Sequence, residues 1–337
     1  PQLLFETSRG CWWGAKNHCT FCGLNGATLN YRSKSAERSF NELVYLTEKH
    51  PNCQVGVVDN ILDMKYFKDF VPKLAANQLN VELMYEVKSN LRKEQVHLLR
   101  DAGITTIQPG IESFSSRVLE IMRKGVKSLQ NIQLLKWCKE LGVRPISNIL
   151  WGFPGEPPEE YQRMAALIPL LTHLEPPSNA APIRLDRFSP NFDHHQQFGF
   201  VDIEPYPSYR YIYPLAPEAV ANLAYYFTFG YSQPQDVESY TKPLVKQLLA
   251  WKEAYKTSSL FSVDKGAYLL ISDLRPVADQ PLKILTGLQR IIYLSCDSIQ
   301  TTHQLKQLVA KHSEGVESMT EISELVQPLI ECGLMIE

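Results

Sequence analysis

A group of cysteines near the start of the chain places the strongest constraint on what it can fold into. Three of the seven cysteines, Cys11, Cys19 and Cys22, lie within twelve residues in the spacing C-x7-C-x2-C. Thiolates presented from one short loop hold iron–sulfur clusters, zinc or Cu(I). A structural zinc site takes four ligands, usually from two ligand pairs, and this sequence has a single C-x2-C pair. The spacing therefore favours an iron–sulfur cluster with one open iron, and a zinc site completed by His18 or a distant residue is the alternative.

The remaining cysteines are interpreted as structural. Cys138, Cys296 and Cys332 fall in helical patterns, and Cys53 precedes a strand-like run. These are the positions of small buried residues. An odd number of cysteines, with three bunched as ligands, argues against a disulfide framework. We therefore expect the protein in a reducing compartment, the cytoplasm.

The overall charge excludes two classes of partner. The chain has 34 basic and 36 acidic side chains among 337 residues, and its net charge is −2. Neither nucleic acid nor a membrane surface is therefore an expected partner. No apolar run reaches the ~18 residues of a membrane span. The sequence starts at Pro1, and we expect that further sequence preceded it.

Strand-like and helix-like segments alternate through most of the chain. The strand-like segments are residues 2–9, 54–60, 81–87, 105–113, 143–153 and 183–190. The helix-like segments are residues 36–50, 65–77, 93–102, 115–122, 128–141 and 157–174. This alternation predicts a parallel sheet with right-handed crossovers. Since a closed eight-unit barrel typically needs ~250 residues, we predict an α/β fold with an incomplete (β/α)6 TIM-like barrel over residues 1–200. A doubly wound sheet is the alternative topology.

Polar residues and glycines follow each predicted strand. They occupy positions 9–10, 59–60, 86–90, 110–113, 148–155 and 187–191. Active sites of α/β barrels and open sheets form at the carboxyl ends of the strands. We therefore expect these residues to share one rim with the cysteine loop.

The last part of the chain is predicted to form two further regions. Residues 201–262 are rich in proline and aromatic side chains, with a helix-like stretch at 217–231 and an amphipathic linker helix at 240–254. Residues 263–337 are predicted to form a strand, three helices and a short closing strand at 334–337, as in a winged-helix-like domain. Basic residues are not in excess there, so a peptide or protein is a better partner than DNA.

The chain resembles radical S-adenosylmethionine (SAM) enzymes over roughly residues 1–200. The stretches that carry the resemblance are FETSRGCWWGAKNHCTFCGLNG, VVDNILDMKYF, YEVKSNLR, IQPGIES, ILWGFPGEPPE and PIRLDRFSPNF. The common spacing in that family is C-x3-C-x2-C, and the longer insert here is similar to one branch of it. That branch is the cobalamin-associated radical SAM proteins that mature ribosomally made peptides.

The resemblance implies a set of cofactors and a reaction. Cys11, Cys19 and Cys22 would bind three irons of a [4Fe–4S] cluster, and the fourth iron would bind the amino and carboxylate groups of SAM. One electron, from a donor such as flavodoxin or ferredoxin, would then cleave SAM to methionine and a 5′-deoxyadenosyl radical. Cluster-bound SAM is the radical source, and the resemblance assigns no catalytic side chain.

The resemblance also assigns SAM-binding positions. Phe21 would lie against the adenine, and the turn at Asp59 and Asn60 would hold the methionyl amine. The residues that would contact the ribose and the methionyl carboxylate are Glu86, Lys88, Ser89 and Glu112. Those that would flank the adenine are Asn148, Leu150 and Phe153.

Several of these positions have a structural alternative. Glu112 is also placed to cap the next helix, and Lys88 to pair with Glu86 on an exposed rim. Asn148 needs hydrogen bonds in an apolar strand whether or not a ligand provides them. Trp12 and Trp13 are expected to shield the cluster from water.

The substrate side of the rim is predicted from the stretch that follows residue 182. Arg184, Asp186 and Arg187 are the predicted substrate residues. The tyrosines predicted nearby are Tyr209, Tyr211 and Tyr213, whose alternation also suits a half-buried strand. The adjacent His194 and His195 lack a partner motif and are interpreted as loop residues. The C-terminal domain resembles peptide-recognition elements, which bind by adding a peptide strand to a sheet edge.

The resulting prediction is a radical SAM enzyme that modifies a ribosomal precursor peptide by cobalamin-dependent C-methylation. Relatives of this kind carry a cobalamin-binding domain ahead of the barrel, and no D-x-H-x-x-G motif precedes the first strand here. We expect cobalamin to be bound through that absent N-terminal domain, and this chain alone to cleave SAM without methylating. The alternatives are a peptide epimerase or cross-linking oxidoreductase that does not methylate, and a zinc-containing peptide-binding module without catalysis.

Overall fold

The structure is a computed structural model that describes residues 2–24, 26, 28–51, 54–79, 81–312 and 322–337. The chain divides into two compact units, Pro1–Gln162 with Pro177–Lys242, and Arg163–Pro176 with Pro243–Glu337. The prediction for Cys53 lies outside the described residues.

Short strands and helices alternate up to residue 254. The strands are β1 (Gln2–Phe5), β2 (Ser8–Arg9), β3 (Arg32–Ser33), β4 (Gln54–Val57), β5 (Met84–Glu86), β6 (Thr106–Gln108), β7 (Arg144–Pro145), β8 (Asn148–Trp151), β9 (Asn179–Pro182), β10 (Leu185–Asp186), β11 (Phe200–Pro205) and β12 (Tyr226–Tyr231). The helices are α1 (Gly14–Asn17), α2 (Ala36–Lys49), α3 (Phe70–Asn77), α4 (Lys93–Asp101), α5 (Ser116–Ile121), α6 (Ser128–Leu141), α7 (Pro158–Leu167), α8 (Pro190–Asp193), α9 (His195–Phe198), α10 (Ser208–Ile212), α11 (Pro217–Leu223) and α12 (Val237–Ala254). Two 3-10 turns lie at Met64–Phe67 and Ile168–Leu171.

Parallel pairing follows the order of the chain. Strand β1 pairs with β4, β5 with β6 and β6 with β7, and β8 pairs with β9, all in parallel. The N–H of Leu150 in β8 donates to the carbonyl of Glu112, just after β6, at 2.9 Å. The predicted parallel α/β arrangement is therefore confirmed, and its form as an incomplete barrel stays a prediction.

The core of this region is built by the apolar faces of the predicted elements. Phe5, Tyr85 and Ile107 from the strands pack with Leu43 and Phe70 from the helices, and all five are at most 2% exposed. Each such side chain contributes about 1.5–3 kcal/mol on burial. This packing fixes the strand ends that carry the polar residues.

Two predictions after residue 178 are wrong in detail. The last parallel strand is β9, and the predicted strand at 183–190 contributes only the short β10, which pairs antiparallel with β12. The predicted helix at 217–231 is α11 followed by β12, because its second half, YFTFGY, has the aromatic and β-branched residues that favour strands. The tyrosines at 209–213 lie in and beside α10.

The chain after residue 259 forms an antiparallel sheet followed by helices. Strands β13 (Leu260–Asp264), β14 (Tyr268–Asp273) and β15 (Leu282–Thr286) are ordered β13-β14-β15. Helices α13 (Gly287–Ser295), α14 (Thr302–His312) and α15 (Ile322–Glu331) follow. The three predicted helices are confirmed, whereas β13 and β15 were not predicted.

The predicted closing strand at 334–337 is wrong. The guanidinium of Arg275 donates to the carbonyl of Gly333 at 2.9 Å and forms an ion pair with the carboxylate of Asp273. The side chains of Arg275 and Asp273 are both buried. Leu334 then packs on Leu269 and Ile271 in the core of the sheet. The chain end is therefore held against the sheet face and not at a sheet edge. None of the described helices has the length and apolarity of a membrane span.

Candidate functional site

The cysteine loop follows β2 and folds as one tight turn. Helix α1 occupies the insert between the first two cysteines, and the N–H of Gly14 donates to Cys11 Sγ at 3.3 Å. The N–H of Cys22 donates to the carbonyl of Cys19 at 3.1 Å. Gly10 has φ +82°, and a Cβ there would lie 2.4 Å from the carbonyl oxygen of Asn30. Only glycine fits this position, so the backbone before Cys11 is fixed by local geometry.

The three thiols lie within electrostatic reach of one another. Burial, together with negative charge on Cys19 and Cys11, raises the pKa of Cys22 to about 11. Burial also raises the pKa of Cys19, against the positive charge of Lys124. Thiols with a raised pKa lose their protons when a metal ion binds the sulfur in place of the proton. All three are free of disulfides, so the donor set fits an iron–sulfur cluster.

A site for a single metal ion needs a different arrangement of ligands from a site for a cluster. Within the described ranges, no group of three or more His, Cys, Asp or Glu side chains is placed to hold one metal ion. A [4Fe–4S] cluster takes one thiolate per iron, so its ligands need not converge on one point.

Two tryptophans anchor the insert to neighbouring strand and helix ends. Trp12 Nε1 donates to the carbonyl of Leu62 at 3.0 Å, and Trp13 Nε1 donates to the carbonyl of Arg123 at 3.2 Å. The ammonium of Lys88 lies 3.2 Å from the centroid of a Trp13 ring. Both indoles are half-buried. They therefore hold the loop in place, and the shielding of the cluster from water stays a prediction.

Four charged side chains meet beside the cysteines. The ammonium of Lys124 lies 3.7 Å from the carboxylate of Glu112. Burial and the charge of Glu112 raise the pKa of Glu86 to about 7, and burial and the charge of Lys124 lower the pKa of Lys88 to about 8. Lys88 donates to the carbonyl of Lys124, so the predicted alternative of a Glu86–Lys88 pair is not what the described contacts show.

Two buried polar groups at this rim lack a hydrogen-bond partner in the described part of the chain. They are Glu112 Oε2 and Ser89 Oγ, in residues that are 8% and 2% exposed. The cap of α5 is Ser115, whose hydroxyl accepts from the N–H of Val118, so the alternative that Glu112 caps this helix is wrong. Because a buried orphan acceptor is costly, Glu112 is suited to receive a ligand's donor group.

Asp59 is held within the protein. Its carboxylate accepts hydrogen bonds from the N–H and hydroxyl of Thr7 and from the hydroxyl of Ser8, and the residue is 2% exposed. The oxygens of Asp59 are therefore engaged by the protein, and the predicted contact with a methionyl amine stays a prediction for its neighbour Asn60, which is half-buried in the same turn. Asp59 positions the strand that leads into Cys11.

Two of the residues that were predicted to lie against the adenine, Phe21 and Phe153, are in contact. The rings of Phe21 and Phe153 meet edge to face with centroids 6.0 Å apart, although 132 positions separate them in the chain. Phe153 is 1% exposed, while Asn148 and Leu150 in β8 are half-buried. The cysteine loop and the end of β8 thus form one apolar wall.

The three predicted substrate residues have different surroundings. Arg187 donates to the carbonyls of Ala224 and Ala221 and so ties β10 to the end of α11. The guanidinium of Arg184 lies over the ring of Tyr226, and its Nε lies 3.6 Å from Asp186 Oδ1, which is longer than a hydrogen bond. Asp186 Oδ1 is buried with no hydrogen-bond partner among the described residues. Asp186 is therefore the member of the three that has an acceptor available.

The tyrosines and histidines after β10 are peripheral to these groups. Tyr211 is 90% exposed, and the hydroxyl of Tyr209 accepts from the N–H groups of Tyr225 and Tyr226. His194 is exposed, and a ring nitrogen of His195 lies 3.1 Å from the carbonyl of Phe192. His194 lies between α8 and α9 and agrees with the prediction of a surface or loop residue, whereas His195 is the first residue of α9.

Residues 5–168 match the sequence model of the Radical SAM superfamily. This stretch of the chain is therefore a radical SAM domain. A domain of this kind implies SAM and a [4Fe–4S] cluster as cofactors, in keeping with the donor set of the cysteine loop.

The radical SAM region is similar to that of several larger proteins. An uncharacterized methyltransferase of Pyrococcus horikoshii is 29% identical over 166 residues, which cover 48% of this chain and 35% of that protein. The ribosomal protein uS12 methylthiotransferase RimO of Pelodictyon phaeoclathratiforme is 20% identical over 168 residues, or 46% of this chain and 39% of that protein. This chain thus spans little more than a third of the length of these relatives.

The fold is also similar to that of a solved radical SAM structure. The cobalamin-dependent S-adenosylmethionine radical enzyme OxsB, with aqua-cobalamin bound, superposes with a TM-score of 0.53 and 13% identity. The superposition covers 91% of this chain and 44% of that one. At this identity the likeness concerns the fold.

Sequence reasoning missed one charged residue of the radical SAM site. Lys124 lies after α5, away from the strand ends, and reaches the cysteines and Glu112 only through the fold. The rule that site residues follow strands excludes it. The sequence marks this position only by the glycine that follows it, Gly125, which has φ +63°.

The first prediction at this site concerns pH. The pKa of Glu86 is about 7 in the folded chain against an ordinary 4.5, so folding favours its protonated form. This contribution to stability is complete below pH ~4.5 and is lost as the pH rises to ~7. Cofactor-free Glu86→Gln should therefore be more stable than wild type at pH 8 by about 1–3 kcal/mol, with no difference near pH 4.5. Urea unfolding at both pH values measures this.

Glu82→Gln, at an exposed position just before β5, is the control and should leave stability unchanged at both pH values. A Glu86→Gln variant that is less stable than wild type at pH 8 would contradict the assigned burial.

The second prediction concerns the contact behind the third cysteine. A Cβ on Gly23 would lie 2.2 Å from the carbonyl oxygen of Arg187 and 2.9 Å from the hydroxyl of Tyr225. Gly23→Ala should displace the loop from β10 and lower the free energy of unfolding by about 1–3 kcal/mol. The variant should also hold less iron per chain after reconstitution. Leu24→Ala, at a half-exposed neighbour, is the control. Full iron content and unchanged thermal unfolding of Gly23→Ala would show that this contact does not position Cys22.

Proposed function

We propose that this chain cleaves SAM reductively at a [4Fe–4S] cluster and, within a larger assembly, methylates a carbon of a ribosomally made peptide in a cobalamin-dependent reaction. The observation that carries the first part is the grouping of three free thiols with Glu86, Lys88, Glu112 and Lys124 at one rim. When bound, the cluster would supply one electron to the sulfonium of SAM and so generate a 5′-deoxyadenosyl radical.

The side chains at this rim suit the charges of SAM. SAM carries a sulfonium, an ammonium and a carboxylate, and the rim offers both carboxylates and ammonium groups. Glu112 has an unused buried oxygen, which suits the ammonium or a ribose hydroxyl. Lys124 is placed to balance the negative charge of the thiolates and of the methionyl carboxylate. Phe21 and Phe153 supply the apolar wall for the adenine.

The walls of the site also exclude water. Trp12 and Trp13 are fixed beside Cys11 by their indole hydrogen bonds, and Gly23, next to Cys22, lies against the backbone of Arg187 after β10, so we expect these groups to limit the access of water. A low-dielectric site protects a radical from side reactions and strengthens its fixed charges. The protein's contribution is therefore binding, orientation and exclusion of water, while the cofactors carry the chemistry.

Methyl transfer is supported by two kinds of likeness. A relative of the radical SAM region is named as a methyltransferase, and the fold is like that of a cobalamin-dependent radical SAM enzyme. We propose that cobalamin is held by protein outside the radical SAM domain and that a flavodoxin or ferredoxin supplies electrons.

A precursor peptide is the proposed substrate. The antiparallel sheet β13-β14-β15 has two edge strands, and a peptide would add as a further strand at one of them, as in peptide-binding winged-helix domains. Asp186, with its unused acceptor near Gly23, is the proposed contact for a donor group of the residue to be modified.

Product mass tests the proposed reaction. The chain is reconstituted within the larger assembly that holds cobalamin and is supplied with a reductant, methyl-deuterated SAM and candidate precursor peptides, and the peptides are analysed by mass spectrometry. Methylation adds a labelled methyl group, with Cys19→Ser as the inactive control. A mass change without label, such as loss of two hydrogens on cross-linking, would replace methylation with the non-methylating alternative.

A further inference from the structure

The turn that follows β8 is held partly by side chains that come much later in the sequence than the radical SAM motifs. This turn, Gly152–Glu156, carries Phe153 to its contact with Phe21. Within the turn, the carboxylate of Glu156 accepts from the N–H groups of Gly152 at 2.7 Å and Phe153 at 3.0 Å. Local geometry alone therefore satisfies part of the turn.

A second set of bonds comes from residues about eighty positions later. The side-chain amide of Gln235 donates to the carbonyl of Phe153 at 3.2 Å and accepts from the N–H of Gly155 at 3.2 Å. The hydroxyl of Tyr231 donates to the carbonyl of Gly152 at 2.8 Å. One amide group thus satisfies a donor and an acceptor of the same turn.

The buried Glu156 joins this second set. It is 4% exposed, and its carboxylate also accepts from the hydroxyls of Tyr161 and Tyr240. A buried carboxylate is tolerated only when its oxygens are hydrogen-bonded. Tyr240 therefore stabilises the anion that organises the turn, from a position in α12.

These contacts act on the backbone of the turn. Gln235 is bonded to the backbone of the turn, and Tyr240 is bonded to Glu156, which anchors the turn. What they fix is where the backbone of Phe153 lies. An apolar wall built on a turn holds a flat ring only if the turn does not move.

We propose that Gln235 and Tyr240 are positioning residues for the adenine half of the SAM site, so that the segment after the radical SAM domain is part of the SAM-binding machinery. This inference rests on the proposed function, because the adenine is placed against Phe153 by that function.

Affinity measurements with two matched pairs of variants test the inference. The test variants are Gln235→Ala and Tyr240→Phe, and the controls are Gln233→Ala and Tyr211→Phe at exposed positions. Loss of one or two of the hydrogen bonds that hold the turn should weaken SAM binding to the reconstituted protein roughly tenfold. The KM for SAM in 5′-deoxyadenosine formation should rise by the same factor, with the maximal rate unchanged.

A ligand pair separates positioning of the adenine from general damage. Binding of 5′-deoxyadenosine should weaken by the same factor as SAM, while binding of methionine should not change. Hydrogen exchange of the 152–156 amides should rise in Gln235→Ala and not in Gln233→Ala. Equal losses for 5′-deoxyadenosine and methionine, or affinities equal to the controls, would overturn the inference while leaving the proposed function intact. Wild-type protein that contains the cluster but binds no SAM would overturn the proposed function itself.

Discussion

Cys19→Ser is expected to remove the cluster and SAM cleavage while the chain remains folded. Cys19 interacts electrostatically with both other thiols and with Lys124, and serine cannot supply the thiolate that iron requires. The loss of 5′-deoxyadenosine formation should exceed the roughly 10–100-fold effect of substitutions outside a metal's ligands. Iron and sulfide content, the visible absorption of the cluster and product formation are measured together after anaerobic reconstitution.

Cys296→Ser is the matched control, because this cysteine lies just after α13, outside the cysteine loop. It should retain wild-type iron content and activity. If Cys19→Ser kept a full cluster, the assignment of the three ligands would be incorrect.

Lys124→Met is expected to have the largest effect on stability. The ammonium is close to Glu112 and to all three thiols, and removing it leaves a buried carboxylate without its counter-charge. Breaking a buried pair in this way costs about 3–5 kcal/mol. Urea unfolding of the cofactor-free protein measures the loss, and Lys68→Met, at an exposed position, should change nothing.

The double variant Lys124→Met with Glu112→Gln separates stability from function. Neutralising both partners should recover much of the lost stability, because neither charge is then buried alone. SAM binding should not recover, since the charges that match SAM are gone. A double variant no more stable than Lys124→Met alone would show that Glu112 is not the partner of Lys124.

The alternation of strands and helices was predictable because each element carries its own signal. Helices α4 and α6 begin and end close to their predicted bounds, with glycines directly after them at Gly103 and Gly142. The parallel pairing then follows from chain connectivity. Apolar periodicity therefore sufficed for the main helices and parallel strands of the first half of the chain, and not for α1 or for the short antiparallel pair of β2 and β3.

Where the signal is ambiguous, long-range pairing decided the outcome. The run from Tyr226 to Tyr231 forms a strand because β10 and β11 lie on both sides of it, and neither neighbour is visible from the local sequence. The residues after α15 remain irregular because Arg275, far earlier in the chain, binds the carbonyl of Gly333.

The site shows the same division. The spacing points to the three cysteines and the resemblance points to Phe21 and Phe153, whose rings are in contact, while the roles of all five stay predictions. Lys124, Gln235 and Tyr240 were not, because each acts through a partner that only the fold brings near. Arg187 was assigned to the substrate, and its bonds to Ala221 and Ala224 show a structural role.

The central claim is that the three cysteines of this chain hold a cluster that cleaves SAM. The most direct test is anaerobic reconstitution with iron and sulfide, addition of SAM and dithionite, and chromatographic detection of 5′-deoxyadenosine, with Cys19→Ser run in parallel. We predict a coloured protein that forms 5′-deoxyadenosine and methionine in equal amounts, and a variant that forms neither. A colourless wild-type protein that retains only zinc and forms no 5′-deoxyadenosine would contradict the claim.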